Sequence, residues 1–231
     1  MKHVTPVIFV TLVLAGCSSA TTPLRQNAQI TQFAGGESNT DRTSFYWLTE
    51  KLNNPESSTD DVKFADNTWY QSHYTWDGNY LREITRVGER RNNSGDKVPF
   101  QMTLRFSQAG EAVYQRMQIN GRVMPMKNGQ IGEVRSQAGE VVSKSRSQRN
   151  EGLSLIQGHW KDGVFTTCNG DEYRNIQFKQ PLPKLLVDRI KEEENFAAFI
   201  GELGGKKIVV DQMLLLKHGG YACIERPMFN G

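Results

Sequence analysis

The sequence is poor in the residues that usually carry catalysis or bind metals. Its 231 residues include three cysteines and four histidines, and no C-x-x-C motif is present. The G-x-S-x-G motif of serine hydrolases and the H-E-x-x-H motif of zinc proteases are missing too. The segment from Gly201 to Lys207 resembles a phosphate-binding loop in composition only, because Ile200 occupies the first glycine position. We therefore predict a hairpin turn at that segment, and no catalytic residue, no metal and no cofactor.

A strong charge of either sign and a long hydrophobic run are also lacking. The formal net charge of +3 is too small to indicate nucleic acid as a partner. The apolar run from Val4 to Leu14 is shorter than the roughly 20 residues that a membrane-spanning helix needs. It follows Lys2 and leads into Leu14-Ala15-Gly16-Cys17, an arrangement typical of a bacterial lipoprotein signal peptide.

The small residues before Cys17 predict cleavage at that cysteine and its lipidation by acyl chains such as palmitate. The alternative is a plain signal peptide followed by an incidental cysteine. In Gram-negative lipoproteins an Asp after the lipidated cysteine favours the inner membrane, so by resemblance Ser18 implies the periplasmic face of the outer membrane. We assign residues 1–16 to the signal peptide. Residues 17–43, rich in small polar side chains, are predicted to be a flexible tether that starts at lipidated Cys17.

The two remaining cysteines, Cys168 and Cys223, form an even pair in an oxidising compartment. This favours a disulfide bond between them. A redox-active thiol and a metal ligand are the alternatives, but neither cysteine has a histidine at ligand spacing.

Residues 44–150 are predicted to form an antiparallel β-meander followed by a linking helix. Apolar and polar side chains alternate between Phe100 and Ser107, and Asp77-Gly78 and Asn120-Gly121 indicate hairpin turns. We interpret Asn53 to Asp61 as a loop in which Asp60 and Asp61 are solvated. The helix at 130–150 carries several basic side chains. They form either a phosphate-binding or lipopolysaccharide-binding patch, or the solvent-facing side of an amphipathic helix, which is the favoured interpretation.

Residues 151–231 are predicted to form a second β domain. The order of elements is three strands, one helix and two strands, with a short extra strand at Tyr221–Ile224. This order matches the OB barrel, whose helix lies between strands three and four. A sheet with one helix and another topology is the competing interpretation. The expected fold class is thus mostly β (α+β): a meander, a linking helix and an OB-like five-stranded barrel with one helix.

Aromatic side chains are dense in the hairpin around Asp77-Gly78. Alternation places Tyr70, Tyr74 and Trp76 on one face of the sheet and Trp69 on the other. They either fill the core or form a stacking platform, since aromatic rings bind sugars and peptides well. The candidate binding surface comprises Trp69, Tyr70, Tyr74, Trp76 and Tyr80.

Three segments carry a resemblance to a known family: the Cys17 lipobox, the Asp162-Gly163 hairpin with Thr166 to Gly170, and the ending Tyr221 to Ile224. With these segments the chain resembles a family of uncharacterised lipoproteins from γ-proteobacteria, which has no assigned activity and implies no catalytic residue. The C-terminal half is also similar to OB-like domains of envelope stress-signalling and copper-homeostasis lipoproteins. The metal-binding C-x-x-C of some of those proteins is missing, so this similarity does not imply copper binding.

Three classes of function fit the sequence. The favoured class is a lipid-anchored binding or scaffold module that docks on an envelope protein or on peptidoglycan. The second is a carrier of a small ligand or lipid inside a β-cavity. The third, an enzyme, would need the fold to bring together a serine and an acid, or His73, His159 and His218.

Overall fold

The computed structural model describes residues 29–192 and 194–229, which form two β-sheets and two helices. The predicted signal peptide and Cys17 lie outside the described residues. Sheet A is an antiparallel meander of eight strands in chain order: β1 (Ile30–Ser38), β2 (Arg42–Lys51), β3 (Asn54–Phe64), β4 (Trp69–Asp77), β5 (Tyr80–Arg91), β6 (Lys97–Phe106), β7 (Ala112–Ile119) and β8 (Arg122–Met124). The predicted meander is confirmed, with more strands than the sequence indicated.

Two hairpin turns of sheet A lie at, or one residue away from, the positions predicted from Asn120-Gly121 and Asp77-Gly78. Asn120 and Gly121 both have positive φ (49° and 76°) and connect β7 to β8 as predicted. The β4–β5 turn is shifted by one residue, because Asp77 already pairs with Tyr80. Its central residues are Gly78 and Asn79, and Gly78 has a φ of 60°.

Two segments predicted to be irregular are strands. Residues 30–38 and 42–43 belong to β1 and β2, so the expected tether of 17–43 is wrong over this part. Gly36 does not make the chain flexible there: a Cβ atom on it would lie 2.5 Å from the Ser44 carbonyl oxygen, so this glycine allows close strand packing. The segment predicted as a loop, Asn53 to Asp61, is mostly part of β3, in which Asp60 and Asp61 are buried rather than solvated.

The long helix α1 (Asn128–Asn150) lies across one face of sheet A and forms the first core. Its buried side chains include Val134, Ala138 and Val141. They pack against apolar residues that point from strands β2 to β7 towards the helix: Tyr46, Tyr74, Leu81, Ile84, Met102, Leu104, Phe106 and Met117. We call this face of sheet A the helix face. The predicted helix at 130–150 is confirmed.

Sheet B is built from the C-terminal part of the chain and has the order β11-β10-β9-β13-β14-β12. Its elements are β9 (Ser154–Lys161), β10 (Val164–Thr167), β11 (Glu172–Tyr173), β12 (Asn175–Phe178), α2 (Lys184–Glu192), β13 (Asn195–Gly204) and β14 (Lys207–His218). The pairing of β12 with β14 is parallel, and the other pairings are antiparallel. The predicted short strand at Tyr221–Ile224 is wrong: these residues belong to an irregular segment.

The two sheets share a hydrophobic cluster. Phe45, on the side of sheet A opposite the helix face, packs with Phe196 and Leu214 of sheet B and with Ile224. A separate cluster, which includes Phe165 and Phe199, fills the core of sheet B. The predicted halves are therefore joined through a common core.

Three glutamine side chains connect different elements of the fold. Each side-chain amide accepts a hydrogen bond from the backbone N–H of one residue and donates one to the carbonyl oxygen of the same residue, as a backbone amide of a neighbouring strand would. Gln148 of α1 bonds in this way to Gly36, and Gln212 of β14 bonds to Ser38. Gln157 of β9 bonds to Ile224. The first two therefore satisfy the backbone of the edge strand β1, and the third holds the C-terminal segment against sheet B.

The C-terminal segment 219–229 runs from sheet B back to sheet A. Cys223 forms a disulfide with Cys168, as the even cysteine pair predicted. Arg226 then donates to the hydroxyl oxygens of Thr49 (2.8 Å) and Ser57 (2.9 Å) in sheet A. The segment thus links both sheets.

Candidate functional site

The five aromatic residues of the predicted binding surface do not form one surface. Tyr70 and Tyr74 lie on the helix face and are buried, and Trp76 is half-buried beside them. Trp69 is on the opposite face, as alternation predicted, and Tyr80 is 56% exposed next to the β4–β5 turn. The stacking-platform interpretation is therefore wrong for Tyr74, which is fully buried, and for Tyr70, which is 8% exposed and has the Arg86 guanidinium over its ring.

The three histidines are spread over the molecule. His73 lies on β4 beside the ring of Phe229. His159 and His218 lie on β9 and β14, which are separated by β13. His73 belongs to sheet A, whereas the other two histidines belong to sheet B. Within the described residues, no group of three His, Cys, Asp or Glu side chains is placed to hold a metal.

A network of polar side chains is buried between sheet A and α1. Asp60, only 2% exposed, accepts a hydrogen bond from the hydroxyl of Tyr74 (2.9 Å). The Tyr74 hydroxyl in turn accepts one from Nη2 of Arg86 (3.1 Å), which also donates to Oε1 of Gln137 on α1 (2.9 Å). Nε of Arg86 donates to Ser72 (2.8 Å). The network therefore joins three strands to the helix.

Burial controls the ionisation of this network. It raises the pKa of Asp60 above its ordinary value, against the opposing effects of nearby Arg86 and of hydrogen bonds from Ser72 and Tyr74. The guanidinium carbon of Arg86 lies 3.9 Å from the centre of the Tyr70 ring, a cation–π arrangement. Burial also raises the pKa of Tyr70, to about 12. Tyr70 and Tyr74 therefore stay protonated and Arg86 stays charged at physiological pH.

Sequence reasoning missed this network, although one signal for it is visible. Arg86 occupies the same strand face as Ile84, where alternation in β5 calls for an apolar residue. A charged residue at an inward position usually has a buried partner. Asp60 gave no such signal, because its segment has the composition of a loop.

The helix cleft, with a volume of about 670 Å³, opens between α1 and the ends of strands β3 to β6. Arg86 and Tyr70 lie at its floor. Phe64, Phe100 and Gln137 also line it, and the rim carries charges of both signs: Asp41, Asp66, Glu89, Arg90, Arg91 and Glu133.

The junction cleft, with a volume of about 430 Å³, opens where sheet A meets sheet B. Its lining holds three cations, Arg42, Lys63 and Lys217, and no carboxylate side chain. Two of these cations also pair with carboxylates outside the lining, Arg42 with Glu37 (3.6 Å) and Lys63 with Asp61 (3.8 Å). Aromatic rings stand among these cations, together with short polar side chains: Phe45, Phe64, Trp69, Tyr221, Asn39, Asn67, Thr40, Thr43 and Thr68. An anionic ligand with a ring or another flat group fits this lining.

The two clefts lie at the same end of sheet A. Phe64, Ala65 and Thr68, at the β3–β4 turn, line both of them. Ile30, where the described chain enters sheet A, pairs with Lys51 at the other end. A nine-residue strand such as β1 spans about 30 Å, so the clefts open far from the N-terminal entry point.

The basic side chains of α1 are mostly engaged in contacts within the protein, so they are less available to a ligand than the residues that line the clefts. Arg146 and Arg149 both pair with the buried carboxylate of Glu50, and Lys144 pairs with Glu37. Arg135 donates to the carbonyl oxygen of Gly110. Neither sequence-based interpretation of this helix describes the outcome, because most of the basic groups serve to attach α1 to sheet A.

Fold and clefts together define a mostly β protein of two joined sheets with two surface clefts at one end. The chain belongs to the family described as Protein of unknown function (DUF1481), whose match covers residues 34–228. This agrees with the expected uncharacterised family. No curated protein and no solved structure matches the chain. In the described part, no helix is both long and apolar enough to cross a membrane.

Proposed function

We propose that the protein is a lipid-anchored binding module at the periplasmic face of the outer membrane, which binds peptidoglycan through the junction cleft and catalyses no reaction. The single observation that carries this proposal is the lining of that cleft, with three cations, three partly exposed aromatic rings (Phe64, Trp69 and Tyr221) and no carboxylate. Peptidoglycan offers the matching groups, since its stem peptides carry carboxylates and its sugar rings stack on aromatic side chains.

Anchoring supports the same proposal. A lipid on Cys17 would connect to the described fold at Ile30, at the end of sheet A opposite the junction cleft. The cleft would then open away from the outer membrane, on the side where the peptidoglycan layer lies. A module anchored at one end and binding at the other would bridge the two layers.

The connectivity of sheet B supports an OB-like barrel as the second part of the module. Taking β11 and β12, separated only by Arg174, as one bent strand, the sheet has five strands. The five strands in chain order are then β9, β10, the bent strand β11–β12, β13 and β14. Strand β9 pairs with β10 and β13, β13 pairs with β14, and the bent strand pairs in parallel with β14. Helix α2 lies between the third and the fourth of these strands. OB barrels bind oligosaccharides and oligonucleotides, although fold likeness alone does not assign a ligand.

The packing of the two cores favours a binding module over a carrier of a small ligand or lipid. The helix face of sheet A is packed against α1, and the core of sheet B is filled by the cluster around Phe165 and Phe199. An apolar cargo would need a space that these side chains occupy.

Co-sedimentation with purified peptidoglycan sacculi tests the proposal, using the mature chain with Cys17→Ser to avoid the lipid. We expect the wild-type cleft to retain the protein on sacculi in a salt-sensitive manner. Lys217→Glu reverses an exposed cation of the cleft and should weaken binding about three- to tenfold. Lys206→Glu is the matched control, because Lys206 is also exposed but lies in the β13–β14 turn at the far end of β14.

Absence of wild-type protein from the sacculus pellet would overturn peptidoglycan as the ligand. Equal loss of binding in both variants would show a dependence on net charge rather than on the junction cleft. Recovery of an acidic envelope protein by crosslinking, without binding to sacculi, would instead assign the cleft to a protein partner.

A further inference from the structure

The helix cleft has at its floor a guanidinium that is held in one position. Arg86 is 5% exposed, and its contacts with Ser72, Tyr74 and Gln137 use Nε and Nη2. The Tyr70 ring supports the guanidinium plane. The hydrogen bonds found among the described residues leave the third nitrogen, Nη1, unused. A guanidinium fixed in this way is preorganised to bind a carboxylate, because little side-chain entropy remains to be lost.

The charge of Arg86 is only partly balanced inside the protein. Asp60 is the acid of the network, but the hydroxyl of Tyr74 stands between the two groups. Burial also shifts the pKa of Asp60 upward, towards the neutral form. A buried cation without a direct carboxylate partner gains free energy when an anion reaches it.

An acidic group of α1 faces the same cleft a short distance from Arg86. Nε2 of Gln137 donates to Oε1 of Glu133 (3.5 Å), while Oε1 of the same amide accepts from Arg86. Glu133 is exposed and forms no ion pair among the described residues. Of the other rim acids, Asp66 pairs with Arg91 and Glu89 pairs with Lys97, whereas Asp41 forms no ion pair among the described residues.

The cleft therefore presents a cation and an anion about one amide group apart, with apolar rings beside them. Phe64 and Phe100 form the apolar wall. The volume of about 670 Å³ lies within the range typical of small-molecule sites.

We propose that the helix cleft is a second binding site, which takes a zwitterionic amino-acid ligand, either free or as a short peptide. The carboxylate of the ligand binds Arg86, its ammonium group binds Glu133, and an apolar side chain packs on Phe64 and Phe100. This proposal does not rest on peptidoglycan binding in the junction cleft, because the charged groups of the two sites differ, although Phe64 lines both clefts.

Isothermal titration calorimetry of the mature chain with Cys17→Ser tests the proposal with four probes. These are the dipeptide Leu-Leu, its N-acetyl form, its C-terminal amide and free leucine. We expect Leu-Leu to bind, and each blocked form to bind about tenfold more weakly or worse, since each lacks one charged hydrogen-bonding group. Comparison of Leu-Leu with leucine distinguishes a peptide ligand from a free amino acid.

The exposed residue Glu133 provides a variant that does not disturb the buried network. Glu133→Gln should abolish the preference for Leu-Leu over its N-acetyl form and leave the preference over the amide form intact. The matched control Glu56→Gln changes the same charge on an exposed residue at the other end of β3 and should leave all affinities unchanged.

Arg86→Lys keeps the charge but loses the fixed planar geometry, so it should weaken all carboxylate probes. Circular dichroism and thermal unfolding would show whether this variant folds. Two outcomes with the wild-type protein would overturn the proposal even if Arg86→Lys fails to fold. One is that none of the four probes binds, and the other is that the free dipeptide and both of its blocked forms bind equally well.

Discussion

Glu50 is a single carboxylate on which the attachment of α1 to sheet A depends. It is 1% exposed, and Nε of Arg146 lies 2.7 Å from its Oε1, while Arg149 binds Oε2. Arg146 also donates to the carbonyl oxygen of Asn53 (3.0 Å). Burial alone would raise the pKa of Glu50, but the hydrogen bonds from Arg149 and Arg146 outweigh it, and the pKa lies below the ordinary 4.5.

Glu50→Gln should lower the free energy of unfolding by about 2 kcal/mol at pH 7. This value is below that for a fully buried pair, because the two arginines are about a third exposed. Since the folded pKa is depressed, the stabilisation by Glu50 is present above pH 4.5 and is lost as the pH falls through the folded pKa. Urea unfolding between pH 3 and 7 should thus show the two proteins converging in acid.

Exposed Glu56 provides the control for this measurement. Glu56→Gln removes the same charge from an exposed residue that forms no ion pair among the described residues, and it should leave the unfolding curve nearly unchanged at every pH. A constant difference between wild type and Glu50→Gln across the pH range would contradict an ionised Glu50 in the folded protein.

At the scale of single elements, β1 shows how a strand is held at the edge of sheet A. Its second half contains Gly35 and Gly36, and its outer backbone groups are bonded by the side chains of Gln148 and Gln212. A Cβ atom on Gly36 would lie 2.5 Å from the Ser44 carbonyl oxygen and 2.8 Å from Leu214 Cδ1. Glycine is therefore required there mainly by the close approach of β1 to the backbone of β2, with Leu214 of sheet B as a second contact.

Gly36→Ala should destabilise the protein by about 1–3 kcal/mol, because the backbone of β2 cannot yield to the added methyl group as a flexible side chain could. Thermal unfolding measures the effect. Gly132→Ala is the control with the opposite expected sign: Gly132 lies within α1 with open space around it, so alanine should stabilise the helix by up to about 1 kcal/mol. A neutral Gly36→Ala would show that β1 can move away from β2 at this point without loss.

The elements that the sequence predicted well are those specified by neighbouring residues. The helix α1 and the turns at Gly78 and Gly121 follow from local periodicity and glycine placement. The strands β1 and β3 were missed because their polar side chains are satisfied by distant partners, as Asp60 is by Tyr74. Likewise, the clefts combine residues far apart in the chain, so no local pattern could indicate them.

At the scale of the whole molecule, the C-terminal segment is the connection that closes the structure. The disulfide Cys168–Cys223 fixes it to sheet B, and Arg226 fixes it to sheet A. Tyr221, two residues before Cys223, lines the junction cleft. The disulfide therefore supports both the global stability and the shape of that cleft.

The double variant Cys168→Ser, Cys223→Ser should lower the free energy of unfolding by about 4 kcal/mol, the chain-entropy value for a separation of 55 residues. Guanidinium unfolding measures it, and wild type treated with a reductant should behave in the same way. Because Tyr221 loses its fixed position, the variant should also bind sacculi more weakly. Unchanged unfolding would show that the remaining contacts of the segment, at Gln157 and Arg226, suffice to hold it.

The two edge strands of sheet A, β1 and β8, affect the tendency of the protein to self-associate. An open strand edge is a template on which another copy of a protein can add a strand and begin to aggregate. At one edge of sheet A, β8 has only three residues, and at the other the glutamine amides of Gln148 and Gln212 occupy the outer backbone groups of β1 at Gly36 and Ser38. An incoming strand would find no free N–H and C=O groups at Gly36 and Ser38, and beside β8 only a three-residue edge, which limits the stacking of copies through these parts of sheet A.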